Sequence, residues 1–483
     1  MYKKTKIVAT VGPVSESEEM LLKLANAGVN VFRLNFSHGD HAEHLARLER
    51  IRKINKEHNL KCAILQDLQG PKIRVGQVEG GNAGVELIPG NKFVFSNEDI
   101  VGNAERVSTP YKGMYQDVKV GERILMDDGK LEVKVVDVDA EKQEVITEVV
   151  YGGLLKQKKG VNLPNTNISQ PSVTDKDWKD LEFGLEHDVD WIALSFVRTA
   201  EEIIKIKEYI KSKGSSAKVI AKIEKPEAIT NMDSIIEAVD GIMVARGDLG
   251  VEMPGEEVPL IQKELVRKCN MAAKPVIVAT QMLESMVDNP RATRAEIGDV
   301  ANAVFDGADA VMLSGESAAG KYPVLAVETM AKTVREVEQK ADEIYFKYHT
   351  EVTKPGYVSD DKDNDNVIVM GCRLARDLDV KAIIGYTSSG YTAVRLSHHR
   401  PKANVYIFTS NPKLLTQLSL YSGVEVISSE RMPENHEGNL VDAARDFLIA
   451  EGKLEKGDKF INTLSVPLQA DNRTNTVRLS VVD

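Results

Sequence analysis

"CAILQD", Cys62–Asp67, is an apolar run that closes on a carboxylate, and "LQGPKIR", Leu68–Arg74, turns it through Gly70-Pro71 onto Lys72 and Arg74. Seven further short, β-rich apolar runs share its character: "KIVAT" (Lys6–Thr10), "VNVFRLNFS" (Val29–Ser37), "DWIALSF" (Asp190–Phe196), "KVIAKIE" (Lys218–Glu224), "GIMVARGD" (Gly241–Asp248), "PVIVATQ" (Pro275–Gln281) and "DAVMLSGE" (Asp309–Glu316). Near-continuous apolar strands belong to a parallel sheet covered on both faces. Eight of them separated by helical stretches predict a (β/α)₈ TIM barrel. The quoted stretch is decisive because the third run is not followed by a helix. Short alternating strands and glycine turns follow it instead, with Asp128-Gly129 as a hairpin turn. The predicted organisation is therefore a barrel begun over residues 1–70, an inserted small β-barrel lid domain over 71–167, the barrel resumed over 168–345, and a C-terminal open α/β regulatory domain over 346–483. The last is entered through a polar linker, "HTEVTKPGYVSDDKDNDN". A domain hung over a barrel mouth by two linkers suits a lid.

At 483 residues the chain calls for more than one core. Its net charge of -11 argues against a general nucleic-acid or anionic-membrane binder, although a phosphate site needs only a few local cations and N–H groups. Cys62, Cys269 and Cys372 fit no metal or redox spacing and read as buried thiols in a reducing cytosol. The N-terminus lacks the features of a signal peptide, and no run is apolar enough to span a bilayer.

The strand ends carry the chemistry. Arg33, Asn35 and Ser37 close the second run, Asp67 the third, Lys222 and Glu224 the fifth, and Arg246 and Asp248 the sixth. Thr280 and Gln281 close the seventh, Ser314 and Glu316 the eighth. Barrel enzymes build their sites at this C-terminal face. In "KIEKPEAI", Lys222 and Glu224 are two apart and share one side of a strand. With Asp248 from the next strand they offer two carboxylates suited to Mg²⁺, and a cation for a transferred phosphoryl group. Taken alone, the same residues could form an interior salt bridge. "ARGDLGVE" offers the Gly247 and Asp248 amides to an anion, or makes a plain turn. "GESAAGKY" imitates a Walker A loop but has Tyr322 where Ser or Thr must stand, so it reads as the turn after the eighth strand. In "YTSSGYTA", Thr387, Ser388, Ser389, Gly390 and Thr392 form either a phosphate nest or a helix cap. "NFSHGDHAEH" spaces His38, His41 and His44 along a helix face that reads as solvated, with His38 near a ligand.

The set "RLNFSHG", "GPKIR", "KKGVNLP", "AKIEKPEAI", "ARGDLGVE", "VIVATQMLESM" and "LSGESAAGKYP" resembles the motif set of pyruvate kinase, in that family's order and over nearly the whole chain. The resemblance implies phosphoryl transfer from phosphoenolpyruvate to ADP, giving pyruvate and ATP, in a cytoplasmic, glycolytic homotetramer. It implies Mg²⁺ on Glu224 and Asp248, with Mn²⁺ able to substitute. Lys222 would neutralise the phosphoryl group, and Arg33 and Arg74 would hold substrate and nucleotide phosphates. Thr280 and the Gly247–Asp248 amides would hold the substrate carboxylate. Ser314 and Glu316 would assist protonation of the enolate. His38, Lys158 and Lys159 would reach the nucleotide. Many members bind K⁺ through groups matching Asn35, Ser37, Asp67 and the Leu68 carbonyl, and carry Glu where this chain has Lys72. This chain resembles the K⁺-independent subgroup, with Lys72 as a built-in cation, so K⁺ is not required. A phosphorylated or nucleotide effector fits the Thr387–Thr392 loop. The loop that is glycine-rich in sugar-phosphate-activated members here reads "SVPLQADNRTNTVRLS", which argues against fructose 1,6-bisphosphate. Two rival readings remain at this point: a barrel aldolase forming a Schiff base on Lys222 with keto acids, and a non-catalytic phosphometabolite sensor.

Overall fold

A computed structural model describes residues 3–345, 361–432, 440–466 and 473–483. The eight expected strands are β1 (Lys6–Thr10), β2 (Val31–Asn35), β3 (Ala63–Asp67), β4 (Trp191–Leu194), β5 (Lys218–Ile223), β6 (Gly241–Ala245), β7 (Val276–Ala279) and β8 (Ala310–Leu313). They close in sequence order into one barrel, parallel throughout. Alternation sorts the residues. Val8, Val31, Leu65, Trp191, Ile220, Met243, Ile277 and Met312 pack together in the interior. Ile7, Phe32, Ile64, Ile192, Val219, Val244, Val278 and Val311 belong to the layer shared with the surrounding helices. Because the side-chain period is two, the interior phase continues upward to Thr10, Arg33, Asp67, Ser195, Lys222 and Glu224. The barrel thus aims its polar strand ends into one mouth.

The insertion has its own core, in which Phe93 and Phe95 meet edge to face at 5.4 Å beside Ile124 and Val133. Its strands form a six-stranded sheet and a separate two-stranded ribbon of Val85–Leu87 with Gly153–Leu155. The Asp128-Gly129 turn joins Arg123–Met126 to Leu131–Asp139, and Asp127, Asp128 and Gly129 all have positive φ. Both linkers to the barrel are anchored. Gly70 N donates to Asp177 Oδ1 at 3.0 Å, and the Arg198 guanidinium donates to the carbonyls of Ile168 and Gln170.

In the C-terminal domain, strand Ala382–Tyr386 lies between Asn404–Thr409 and Lys459–Leu464, with Val424–Ser428 at one edge and the antiparallel Thr476–Val481 at the other. The end of the expected polar linker is helical instead. Asp361 caps helix Lys362–Asp377 by accepting from Asn364 N, and Ile368, Cys372 and Ala375 bury one face. Helical periodicity downstream outweighed the polar first turn, whose acids suit a helix N-terminus. The rest of that linker, and residues 467–472 of the glycine-free loop, lie outside the described residues.

The C-terminal domain is bonded to the barrel floor. The buried Trp191 indole donates to the Gln417 carbonyl at 3.1 Å. Arg400 grips Asp309 at 2.8 and 2.9 Å, while Asp309 also accepts from the amides of Ser422 and Val276. Removing one partner of such a pair strands the other in a dry site. Asp309→Ala should lower the unfolding free energy by about 3 kcal/mol, read as a fall in the thermal midpoint. An unchanged midpoint would contradict this account of the junction.

Candidate active site

The mouth is organised around Lys222, at the end of β5. Its Nζ lies 3.2 Å from Asp67 Oδ1 and 3.1 Å from Glu224 Oε1, and donates to Ser195 Oγ at 2.7 Å. Burial alone would lower its pKa, but the Asp67 and Glu224 carboxylates outweigh burial and hold the ammonium above its usual range. Arg33 completes the cluster. Its Nε donates to Asp67 Oδ2 at 2.6 Å and its Nη1 to Thr10 Oγ1 at 2.8 Å. Burial opposes ionisation of Asp67, yet Arg33 and Lys222 keep its pKa below the ordinary value. Glu224 behaves differently. Burial, with Asp248 adding repulsion, raises its pKa despite Lys222, and its Oε2 accepts from Phe196 N at 2.7 Å.

Asp248 stands in the first turn of the short helix Arg246–Glu252 that follows β6, and Lys72 Nζ lies 3.3 Å from its Oδ1. Each of the two carboxylates is therefore faced by an ammonium group. The two carboxylates are the hard oxygen donors a divalent cation such as Mg²⁺ takes, few in number and leaving room for substrate oxygens, and Lys222 and Lys72 supply the positive charge beside them. His38 borders the same space. Burial lowers its pKa first, then the positive field of Arg74, Arg33 and Lys72.

Thr280 and Gln281 both have left-handed backbone, φ 67° and 54°, which costs a non-glycine residue and marks a held geometry. Gly247 N donates to Thr280 Oγ1 at 2.7 Å. Arg246 holds the turn by donating to the Ala279 and Thr280 carbonyls while pairing bidentately with Asp299 at 2.6 Å.

Several candidates sit elsewhere than expected. Glu316 is completely buried, and its two oxygens accept from Leu283 N and Ser314 N, so it braces the loops beneath the mouth while Ser314 borders it. Lys72 points to Asp248 rather than into the Asn35, Ser37, Asp67 and Leu68 group. Asp67 is shared by Arg33 and Lys222, the Leu68 carbonyl accepts from Ser195 Oγ, and Asn35 Oδ1 accepts from Ser37 N. Lys159 pairs with Asp127 inside the insertion at 2.6 Å, and Lys158 is exposed at the turn before it. The histidine face is solvated only in part, since His38 and His41 are exposed. His44 is buried, stacked on Phe36 at 3.9 Å, with its pKa lowered by burial to about 4, and His41 pairs with Asp180. The loop Thr387–Thr392 opens helix Tyr391–His398, with Gly390 at φ 91°, and borders a cavity of about 970 Å³ between the C-terminal domain and the barrel floor. Sequence reasoning does not single out Ser195, and it places Arg246 at the end of the sixth run without a role. Ser195 does close the fourth run, but one serine at a strand end is ordinary.

A charged barrel mouth that pairs an ammonium with carboxylates beneath an inserted domain fits a phosphoryl-transfer class of barrel enzyme. Comparison narrows the class. The pyruvate kinase barrel domain matches residues 2–327, and the pyruvate kinase alpha/beta domain matches residues 365–480. The chain is 45% identical to a pyruvate kinase of Geobacillus stearothermophilus, over all of this chain and 81% of that protein. It is 43% identical to one from Staphylococcus aureus, over 99% of this chain and 80% of that protein. A crystal structure of a pyruvate kinase from Cryptosporidium parvum superposes with a TM-score of 0.91 at 35% identity, covering all of this chain and 96% of that one. The chain belongs to the pyruvate kinase family. Its activity is that family's phosphoryl transfer between phosphoenolpyruvate and ADP, which depends in general on a divalent metal.

Ser195 gives this site a specific test. Removing its hydroxyl deletes a charge-assisted bond to Lys222 and the bond to the Leu68 carbonyl, and leaves the Asp67 and Glu224 pairs in place. Ser195→Ala should lower kcat roughly tenfold and lower the thermal midpoint modestly, by the loss of one buried hydrogen bond. Wild-type turnover would show that the hydroxyl only fills space.

Proposed function

We propose that this mouth carries out the transfer with Mg²⁺ held by Glu224 and Asp248, Mn²⁺ serving through the same oxygen chemistry. The observation that carries this reading is the convergence of Arg33, Asp67, Ser195, Lys222 and Glu224 from four strands into one hydrogen-bonded cluster beside Asp248. When bound, the divalent ion would draw charge from the phosphoryl and enolate oxygens. Lys222, kept protonated by its carboxylates, places a fixed positive charge beside the phosphoryl group. Arg33 is braced through Nε and Nη1 and turns its remaining edge to the substrate phosphate. Thr280 and the Gly247 and Asp248 amides position the substrate carboxylate, which takes the Gly247 N–H over from Thr280 Oγ1, and Ser314, held through its own N–H by Glu316, borders the face where the enolate takes its proton. Arg74, His38, Lys158 and Lys159 receive the nucleotide as the inserted domain shuts over the mouth and excludes water.

The aldolase reading needs a neutral amine, whereas the surroundings of Lys222 favour its ammonium form. A sensor that had lost turnover would have no use for the complete lysine and carboxylate set. In the same reading the protein is a cytoplasmic glycolytic homotetramer, and a phosphorylated or nucleotide effector acts through Thr387, Ser388, Ser389, Gly390 and Thr392. Among the described residues no helix is long and apolar enough to cross a membrane.

Lys72 replaces the monovalent ion by its charge in the mouth's field rather than by occupying the Asn35, Ser37, Asp67 and Leu68 cage. Its ammonium, 3.3 Å from Asp248 Oδ1, supplies that charge. Pyruvate formation from phosphoenolpyruvate and ADP with Mg²⁺, in buffer free of K⁺ and NH₄⁺, should proceed at nearly the full rate, and Lys72→Glu should make it depend on K⁺. A wild-type enzyme stalled without K⁺ would refute the role of Lys72; no pyruvate under any salt would refute the functional reading.

A further inference from the structure

Glu252 ends the short helix that begins with Arg246 and carries Asp248. Its side chain is 1% exposed. Oε1 accepts from Lys225 Nζ and from Asn162 Nδ2, each at 2.8 Å, while Oε2 is buried with no hydrogen-bond partner. The three residues come from three segments, two of the barrel and one of the insertion. Lys225 directly follows Glu224. Glu252 is four residues, one helical turn, beyond Asp248. Asn162 belongs to the inserted domain, on strand Val161–Asn162. The insertion also comes near this helix at Gly129, the tip of its hairpin, where a methyl group, had the residue one, would lie 3.8 Å from Val251. A small cavity of about 30 Å³ adjoins the group, bounded by Pro71 and Lys72 of one linker, Ile168 and Gln170 of the other, and Lys225 and Glu252. The unpartnered carboxylate oxygen thus lies at the hinge on which the insertion would turn.

We propose that Glu252 is a positioning residue that couples the docking of the inserted domain to the spacing of the two metal-binding carboxylates. The inference rests on the assignment of the metal to Glu224 and Asp248. The Lys225–Glu252 pair clamps the Glu224 segment to the Asp248 helix. With Oε2 already unsatisfied, a buried Glu252 depends on both donors at Oε1, because each lost hydrogen bond leaves more of a desolvated charge uncompensated. Withdrawal of Asn162, as the insertion swings away, loosens the clamp and lets the Asp248 helix shift against Glu224. Docking of the insertion restores it. The coupling is reciprocal: a divalent ion between the carboxylates favours the docked insertion.

The test uses Mn²⁺ alone with the full-length protein. Its dissociation constant is read by electron spin resonance, and the docking of the insertion by its resistance to limited proteolysis. In the wild type, Mn²⁺ should protect the insertion. Asn162→Ala touches neither carboxylate, yet should weaken Mn²⁺ binding about tenfold and abolish the Mn²⁺-dependent protection, while raising KM for ADP more than it lowers kcat. Asn162→Asp, which sets a like charge against Glu252, should weaken binding further. Glu252→Gln, close in shape to the native residue, should reproduce the loss of protection. Mn²⁺ affinity within twofold of wild type, with protection intact in the Asn162 variants, would overturn the coupling. Glu224→Gln separates the two ideas. If it binds Mn²⁺ normally, the metal assignment fails and the coupling fails with it. If it loses Mn²⁺ while the Asn162 variants bind normally, only the coupling fails.

Discussion

One buried ammonium sets the character of the mouth. Lys222 is shared among the Asp67 and Glu224 carboxylates and the Ser195 hydroxyl, and Arg33 balances it across Asp67. Burying that many charges is tolerable only because each is paired and hydrogen-bonded. The pairing also prevents the groups from neutralising one another by proton transfer, so a fixed pattern of positive and negative charge stands ready where a phosphoryl group would sit. Catalysis of phosphoryl transfer draws mainly on such prepared electrostatics. The barrel makes it affordable: parallel strands in fixed register hold the groups in place, and the side chains below them fill a dry interior.

The interior phase of the barrel explains why so many chemically different residues meet. Val31, Arg33 and Asn35 are one alternating series, as are Ile220, Lys222 and Glu224. The lower member of each packs in the core and the upper members reach the mouth. The floor below is bound to the C-terminal domain through Trp191 and the Arg400–Asp309 pair. Polar chemistry at one end and a domain junction at the other are thus connected by a packed column of side chains.

Much of this was legible in the sequence. Eight apolar runs between helices, the interruption after Asp67, and charged strand ends on a period of two identify the barrel, the insertion and the group around Lys222. Pairing was not legible, because it depends on distances between side chains far apart in the chain. Glu316 reads as a mouth residue by position, yet two backbone amides claim it from beneath. The family resemblance sets Lys72 with the Asp67 group, but the turn at Gly70 sends it to Asp248. His44 has the spacing of a surface residue and packs on Phe36 instead. The acidic segment after Asp361 reads as linker because its polar first turn hides the helix that follows.

The proposed transfer requires Lys222 to act on the phosphoryl group and not merely to balance buried acids. Lys222→Arg preserves the charge but not the point-like ammonium, so it separates these roles. Single-turnover transfer from phosphoenolpyruvate to ADP should slow by about a thousandfold in a protein that keeps its thermal midpoint and still binds phosphoenolpyruvate. Transfer at close to the wild-type rate would contradict it.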